Sequence, residues 1–152
     1  MTGHLVLSTL HTNDAASAIT RLINMNIEPY LIASSLSMVV AQRLVRLLCL
    51  DCKTEYEPSA LELEKLGLKA DTNHRFYAPN GCDKCLGTGY VSRSGVYEIL
   101  PINDDISSLI LNNAPLSDYR KLIHTMSYGL LKVNAIELLK SGQTSFIEIS
   151  TL

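Results

Sequence analysis

The chain has 152 residues, 47% of them apolar, with a formal net charge of −2 and a pI near 6.1. That is enough for one domain, or one domain and a small module, around a real core. The near-balanced charge, without a single-sign tail, argues against a nucleic-acid surface, and no run of about 18 uncharged apolar residues offers a membrane span.

The start, Met1-Thr-Gly-His4, has no positively charged leader region and no cleavage pattern, so the expected compartment is the cytoplasm. Leu5–Leu10 reads as a short, central parallel strand, apolar without alternation. Such a strand needs a sheet, and few matching strands precede Cys49, so the chain reads as the tail end of a larger α/β domain. Thr12, Asn13 or Asp14 can cap the following helix, whose Ala15, Ala18, Ile19, Leu22 and Ile23 recur at helical spacing until Asn26 and Glu28-Pro29. Tyr30 to Leu48 reads as one long, deeply packed helix striped by Ile32, Leu36, Val39, Val40, Leu44 and Leu47.

After Leu48, Ser59 and Glu62 form a capping box for a helix over Ala60–Leu66, closed by Gly67. A turn is expected at Asp71–Asn73, and strands at 75–78 and 95–100. The last third reads as helical. A helix over Asp104–Asn113 is followed by one that Ser117 can cap. Gly129 separates that one from a further helix ending at Gly142, and Ser145-x-x-Glu148 opens either a last helical turn or a strand.

The strongest chemical signal lies between these elements. The only four cysteines form two C-x2-C pairs, Cys49/Cys52 and Cys82/Cys85, the second inside a glycine-rich turn from Gly81 to Gly89. A C-x2-C unit lets two thiolates converge on one ion, and two units complete a tetrahedral zinc shell. Two disulfides or a redox C-x-x-C are the competing readings; the doubled, symmetric spacing disfavours the redox one, and a reducing cytoplasm disfavours disulfides. Zinc held by four cysteines has no open position for substrate or water, so its role is structural.

His4 and His11 bracket the Leu5–Leu10 segment. Most histidines at a strand end are structural, but a strand followed by a capped helix is where α/β folds meet phosphate, and His11 is placed to reach one, with Thr9 and Thr12 as nearby hydroxyls. His74 and His124 read as surface or packing residues. Arg43, Arg46 and Arg93 are candidate phosphate or partner contacts, with ordinary ion-paired arginines at least as common. The sequence contains no G-x-x-x-x-G-K-[ST] loop and no acidic strand end to hold magnesium, so it does not by itself bind and hydrolyse a nucleotide.

Taken together, these motifs resemble a known family. Thr2-Gly-His-Leu-Val-Leu-Ser-Thr-Leu-His-Thr-Asn-Asp-Ala15 looks like the histidine box of the bacterial type II secretion and type IV pilus assembly ATPases. Ala41-Gln-Arg-Leu-Val-Arg46, the two cysteine pairs, and Arg93-x-Gly-Val-Tyr-Glu98 follow in that family's order, with a weaker match at Gly142-Gln-Thr144. The resemblance implies hexameric RecA-like P-loop ATPases at the cytoplasmic face of the inner membrane, working with its platform proteins and using ATP and Mg2+. It implies catalytic roles for His11, near the γ-phosphate, and His4, and a zinc insert on Cys49, Cys52, Cys82 and Cys85. The implied fold is α/β with an α+β zinc insert. Residues 1–48 would end the RecA-like core, 49–100 form the zinc module and 101–152 a helical tail. The Walker A and Walker B elements would lie upstream, making this a C-terminal fragment. A stand-alone zinc-ribbon interaction module is the alternative, and a thiol oxidoreductase a third, weaker one.

Overall fold

A computed structural model describes residues 3–69, 74–126 and 130–152. In chain order the elements are α1 (Ala15–Asn24), α2 (Pro29–Ser35), β1 (Met38–Leu48), β2 (Thr54–Tyr56), α3 (Ala60–Leu66), β3 (Phe76–Ala78), a 3-10 turn (Asp83–Cys85), β4 (Tyr90–Pro101), α4 (Asp104–Leu111), α5 (Leu116–Thr125), α6 (Leu131–Lys140) and α7 (Phe146–Ile149). β1 pairs with β4, and β2 pairs antiparallel with β3 in the register Thr54↔Ala78, Glu55↔Tyr77, Tyr56↔Phe76. The expected turn at Asp71–Asn73 and the helix break at Gly129 lie outside the described residues. No described helix is long and apolar enough to cross a membrane.

The chain folds as two compact units, residues 1–41 with 99–128 and residues 42–98 with 129–152. Both β1 and β4 change unit along their length, so these units do not follow the sequence's own divisions at 48 and 100.

The first unit is helical. Asp14, in extended backbone, caps α1 by accepting the Ser17 N–H at 2.7 Å, and its other oxygen takes two hydrogen bonds from Arg120 on α5 at 2.8 and 3.2 Å. α1 packs on α2 and α5, and α4 packs on α2 and α5. Ile19, Ile32, Ile106, Ile110, Tyr119 and Ile123 are buried there. Burial of such side chains stabilises a fold by about 1.5–3 kcal/mol each.

The second unit has its own core: Val45, Leu63, Leu66, Phe76, Val96, Ala135, Ile136, Leu139 and Ile149. The capping box that opens α3 is formed on both sides, and Gly67 closes the helix in the left-handed region at φ +72°. Ser145-x-x-Glu148 resolves as a helix, α7, which with α6 packs against β3.

Two expectations are corrected. Leu5–Leu10 is not a strand: Leu5, Val6 and Leu7 are 78–88% exposed, and no described strand pairs with the segment. A strand exists through its ladder of hydrogen bonds, and this stretch has no partner ladder. Nor is 30–48 one helix. α2 ends at Ser35, Leu36 turns extended (φ −78°, ψ 118°), and Met38–Leu48 is an eleven-residue strand. Its buried positions are Ala41, Val45 and Leu48, while Val40 and Leu44 of the expected apolar stripe are exposed. The apolar residues Leu36, Val39, Val40, Leu44 and Leu47 thus imitate a 3.6-residue period in an extended chain.

Candidate metal centre

β1 delivers the first cysteine pair and β4 leaves from the second. Cys49 follows directly on β1, and the chain then doubles back: Cys52 and Lys53 N–H both donate to the Cys49 carbonyl. The second loop turns more tightly. Cys85 and Gly87 N–H donate to the Cys82 carbonyl, and Cys49 N–H donates across to the Gly89 carbonyl at 2.9 Å, joining the two loops.

Glycine is required at two places in the second loop. Gly81 has φ +97°, and a Cβ there would lie 2.6 Å from the Gly87 carbonyl oxygen. Gly89 has φ +75°, and its Cβ would meet the Pro79 Cβ at 2.4 Å. Both positions combine a left-handed backbone with close approach of another segment, which only glycine tolerates.

The four Sγ atoms all lie within 4.8 Å of one another. Cys49–Cys82 and Cys52–Cys85 are 3.8 Å apart and Cys82–Cys85 3.7 Å. Four sulfurs about 2.3 Å from a tetrahedral zinc stand about 3.8 Å from one another. A disulfide needs about 2.05 Å, and the four cysteines are unbridged. The donor set and its spacing fit a metal ion: soft, all-thiolate and closed.

The surroundings favour thiolate at Cys85 and disfavour it at Cys52. Burial alone pushes the Cys85 thiol up, but N–H groups of Cys82 and Gly89, each 3.1 Å from its sulfur, outweigh that and bring it down to about 6. Cys52 is pushed up to about 11, chiefly by burial. Lys84 on the second loop meets Asp51 on the first at 2.6 Å and adds positive charge near Cys49 and Cys82.

His4 and His11 belong to the first unit. Both are exposed and lie in the segment without regular structure that precedes α1, His11 three residues before the capping Asp14. His74 packs beside Phe76, ring centres 6.2 Å apart, and His124 is exposed. Arg46 is not an open phosphate contact. Its backbone N–H and guanidinium hold Glu148 at 2.7–3.0 Å, and it lies 4.1 Å over the Tyr90 ring. Sequence reasoning missed Glu148, Thr144 and Ser145 as neighbours of the cysteine loops, since contacts across 55 to 102 residues leave no local pattern; the weak Gly142-Gln-Thr144 match was the one pointer to them.

Residues 1–151 match the model of the family described as Type II/IV secretion system protein. The chain is 41% identical over 149 residues to the Type II secretion system ATPase E of Vibrio cholerae, covering 98% of this chain and 29% of that protein. It is 38% identical over 151 residues to the Type IV pilus assembly ATPase PilB of Thermus thermophilus, covering 98% of this chain and 17% of that one. With the Type II secretion system protein E of Pseudomonas aeruginosa the identity is 47% over 114 residues, 75% of this chain and 23% of the relative. The chain thus spans less than a third of the length of these curated relatives. On the family match across nearly its whole length, the chain belongs to the Type II/IV secretion system protein family.

Proposed function

We propose that the chain supplies the metal-bearing part of a hexameric ATPase that powers type II protein secretion or type IV pilus assembly. The observation that carries this reading is the convergence of four sulfurs at tetrahedral-zinc spacing within a chain matched over 98% of its length by secretion and pilus ATPases. Residues 1–48 would serve the end of the RecA-like core, 49–100 the zinc module and 101–152 the helical tail. His11 would lie near the terminal phosphate of ATP, with His4 as the second catalytic histidine. ATP and Mg2+ would be gripped by a Walker loop and acidic groups that this sequence does not contain. The assembly would act at the cytoplasmic face of the inner membrane with the platform proteins of its machine.

Zinc, when bound, supplies a closed cross-link between the two cysteine loops. The chain's own residues do the rest. Cys49, Cys52, Cys82 and Cys85 hold it, the N–H groups of Cys82 and Gly89 stabilise the Cys85 thiolate, and Lys84 offsets the negative charge of the sulfurs. Elemental analysis of the purified chain should find about one zinc per molecule; a folded, metal-free chain would refute the metal reading. In the complete ATPase, His11→Ala should cut ATP turnover by about 100-fold, the lower range for a positioned proton-transfer or charge-stabilising group, with zinc content unchanged. Undiminished turnover would remove His11 from the catalytic set.

A further inference from the structure

We infer that the segment Gly142–Glu148 is a strap that sets the two cysteine loops in register for metal, so that strap docking and metal occupancy reinforce each other. The inference rests on the metal reading above and concerns residues outside the cysteine loops.

The strap touches the residues flanking both loops. On the first loop's entry side, Leu48 N–H, adjacent to Cys49, donates to the Gln143 carbonyl at 2.8 Å. Two residues earlier, the Arg46 carbonyl accepts the Thr144 hydroxyl at 2.8 Å, and Arg46 N–H, Nε and Nη2 hold the Glu148 carboxylate. On the exit side, Lys53 Nζ, adjacent to Cys52, donates to the Gly142 carbonyl at 2.7 Å. The second loop is gripped through Tyr90, whose hydroxyl pairs with Ser145 Oγ at 2.7 Å.

That last contact bears on the sulfurs. Tyr90 follows Gly89, the residue that accepts the Cys49 N–H and donates its own N–H to Cys85 Sγ. Fixing Tyr90 therefore fixes the group that links Cys49 to Cys85. The strap is also built in rather than draped over the surface. Thr144 is fully buried and Ser145 2% exposed, an uncommon place for two small polar side chains unless their hydrogen bonds are needed. The arrangement is that of outer groups that orient ligands without touching the ion, whose loss typically weakens metal binding 10–100-fold. Because a ligand and a docking event that stabilise the same state are reciprocally coupled, removing either must loosen the other.

The experiment is zinc competition with a chromophoric chelator on the whole chain, alongside amide hydrogen exchange at Arg46 and Leu48, whose N–H groups report strap docking directly. Glu148→Ala and the milder Thr144→Val should each weaken zinc binding about tenfold or more while circular dichroism shows the helices retained. In the unsubstituted chain, chelation should speed exchange at Arg46 and Leu48. Affinity unchanged within about twofold in variants whose Arg46 and Leu48 amides exchange fast would overturn the inference, as would amides indifferent to chelation in the unsubstituted chain. An unsubstituted chain that takes up no zinc refutes the metal reading itself, and the linkage with it.

Discussion

The two units reach stability by different routes. In the helical unit, α1, α2, α4 and α5 each place buried aliphatic or aromatic side chains against their neighbours, and Ile19, Ile106, Ile110 and Tyr119 are fully buried. In the cysteine-bearing unit, β2 and β3 are three residues long, α3 has seven residues and α7 four. Its two loops offer little to a core: Leu50 and Leu86, next to the cysteines, are 76% and 88% exposed, while Cys49 and Cys85 are buried. That unit's core of Val45, Leu63, Leu66, Phe76, Val96, Ala135, Ile136, Leu139 and Ile149 contains no residue of the two loops, so on the proposed metal reading it is the ion that fixes them.

The sharpest way to break that comparison is to remove a ligand. Structural zinc contributes about 10–16 kcal/mol of folding free energy in zinc-finger peptides, because the site does not exist in the unfolded chain. Cys85→Ser should abolish zinc content and erase amide protection around residues 49–53 and 82–90, leaving protection in α1, α4 and α5. A variant retaining both zinc and loop protection would show that packing, not metal, holds those loops.

Next in size come paired core truncations. Phe76 is fully buried in the second unit, edge-on to Tyr56 at 6.3 Å between ring centres, and Ile110 is fully buried in the first. Phe76→Ala should cost about 3–5 kcal/mol and Ile110→Ala about 2–5 kcal/mol in chemical denaturation. The units then separate by a second readout. Phe76→Ala should also weaken zinc binding, since Phe76 shares a core with Val45 of β1 and Val96 of β4, the strands that carry the metal loops, whereas Ile110→Ala should leave it unchanged. Equal loss of zinc in both variants would mean that the units do not respond independently.

What could be read from sequence follows the same divide. The Ser59–Glu62 box and Gly67 are short-range signals, each fixed by chemistry within a few residues, and both appear as read; of Thr12, Asn13 and Asp14 it is Asp14 that caps α1, and the two cysteine pairs come together. β1 was illegible because Leu36, Val39, Val40, Leu44 and Leu47 recur at helical spacing, although Val40 and Leu44 are exposed in the strand and the buried positions are Ala41, Val45 and Leu48; the valines at 39, 40 and 45 were the β-favouring hint against a helix. Leu5–Leu10 has the composition of a buried strand, but composition cannot supply a partner ladder. The strap was illegible for another reason: Arg46 and Glu148 are 102 residues apart, and nothing near either one announces the other.

The smallest effect sharpens the comparison at a helix end. Ser59 Oγ accepts the Glu62 N–H at 3.3 Å, and the Glu62 carboxylate accepts from Ser59 N–H and Oγ at 2.8 Å and from the Tyr56 hydroxyl at 2.9 Å. Ser59→Ala should cost about 1 kcal/mol, as N-cap losses do. Burial pushes the Glu62 carboxyl up, but these hydrogen bonds outweigh it, and the group sits below its ordinary range. A carboxyl lowered in the folded state stabilises fully above its unfolded value, near 4.3, and that stabilisation disappears as pH falls through the lowered value. Glu62→Gln keeps an acceptor for the cap but cannot titrate. The stability difference between the unsubstituted chain and Glu62→Gln, measured by denaturation at a series of pH values, should hold constant above about pH 5 and shrink on the acid side. Acid also protonates thiolates and releases metal in both chains, so taking the difference at each pH isolates Glu62. A difference that stays flat down to pH 2 would show that the hydrogen bonds on Glu62 do not favour its charged form, leaving the capping box as a geometric device alone.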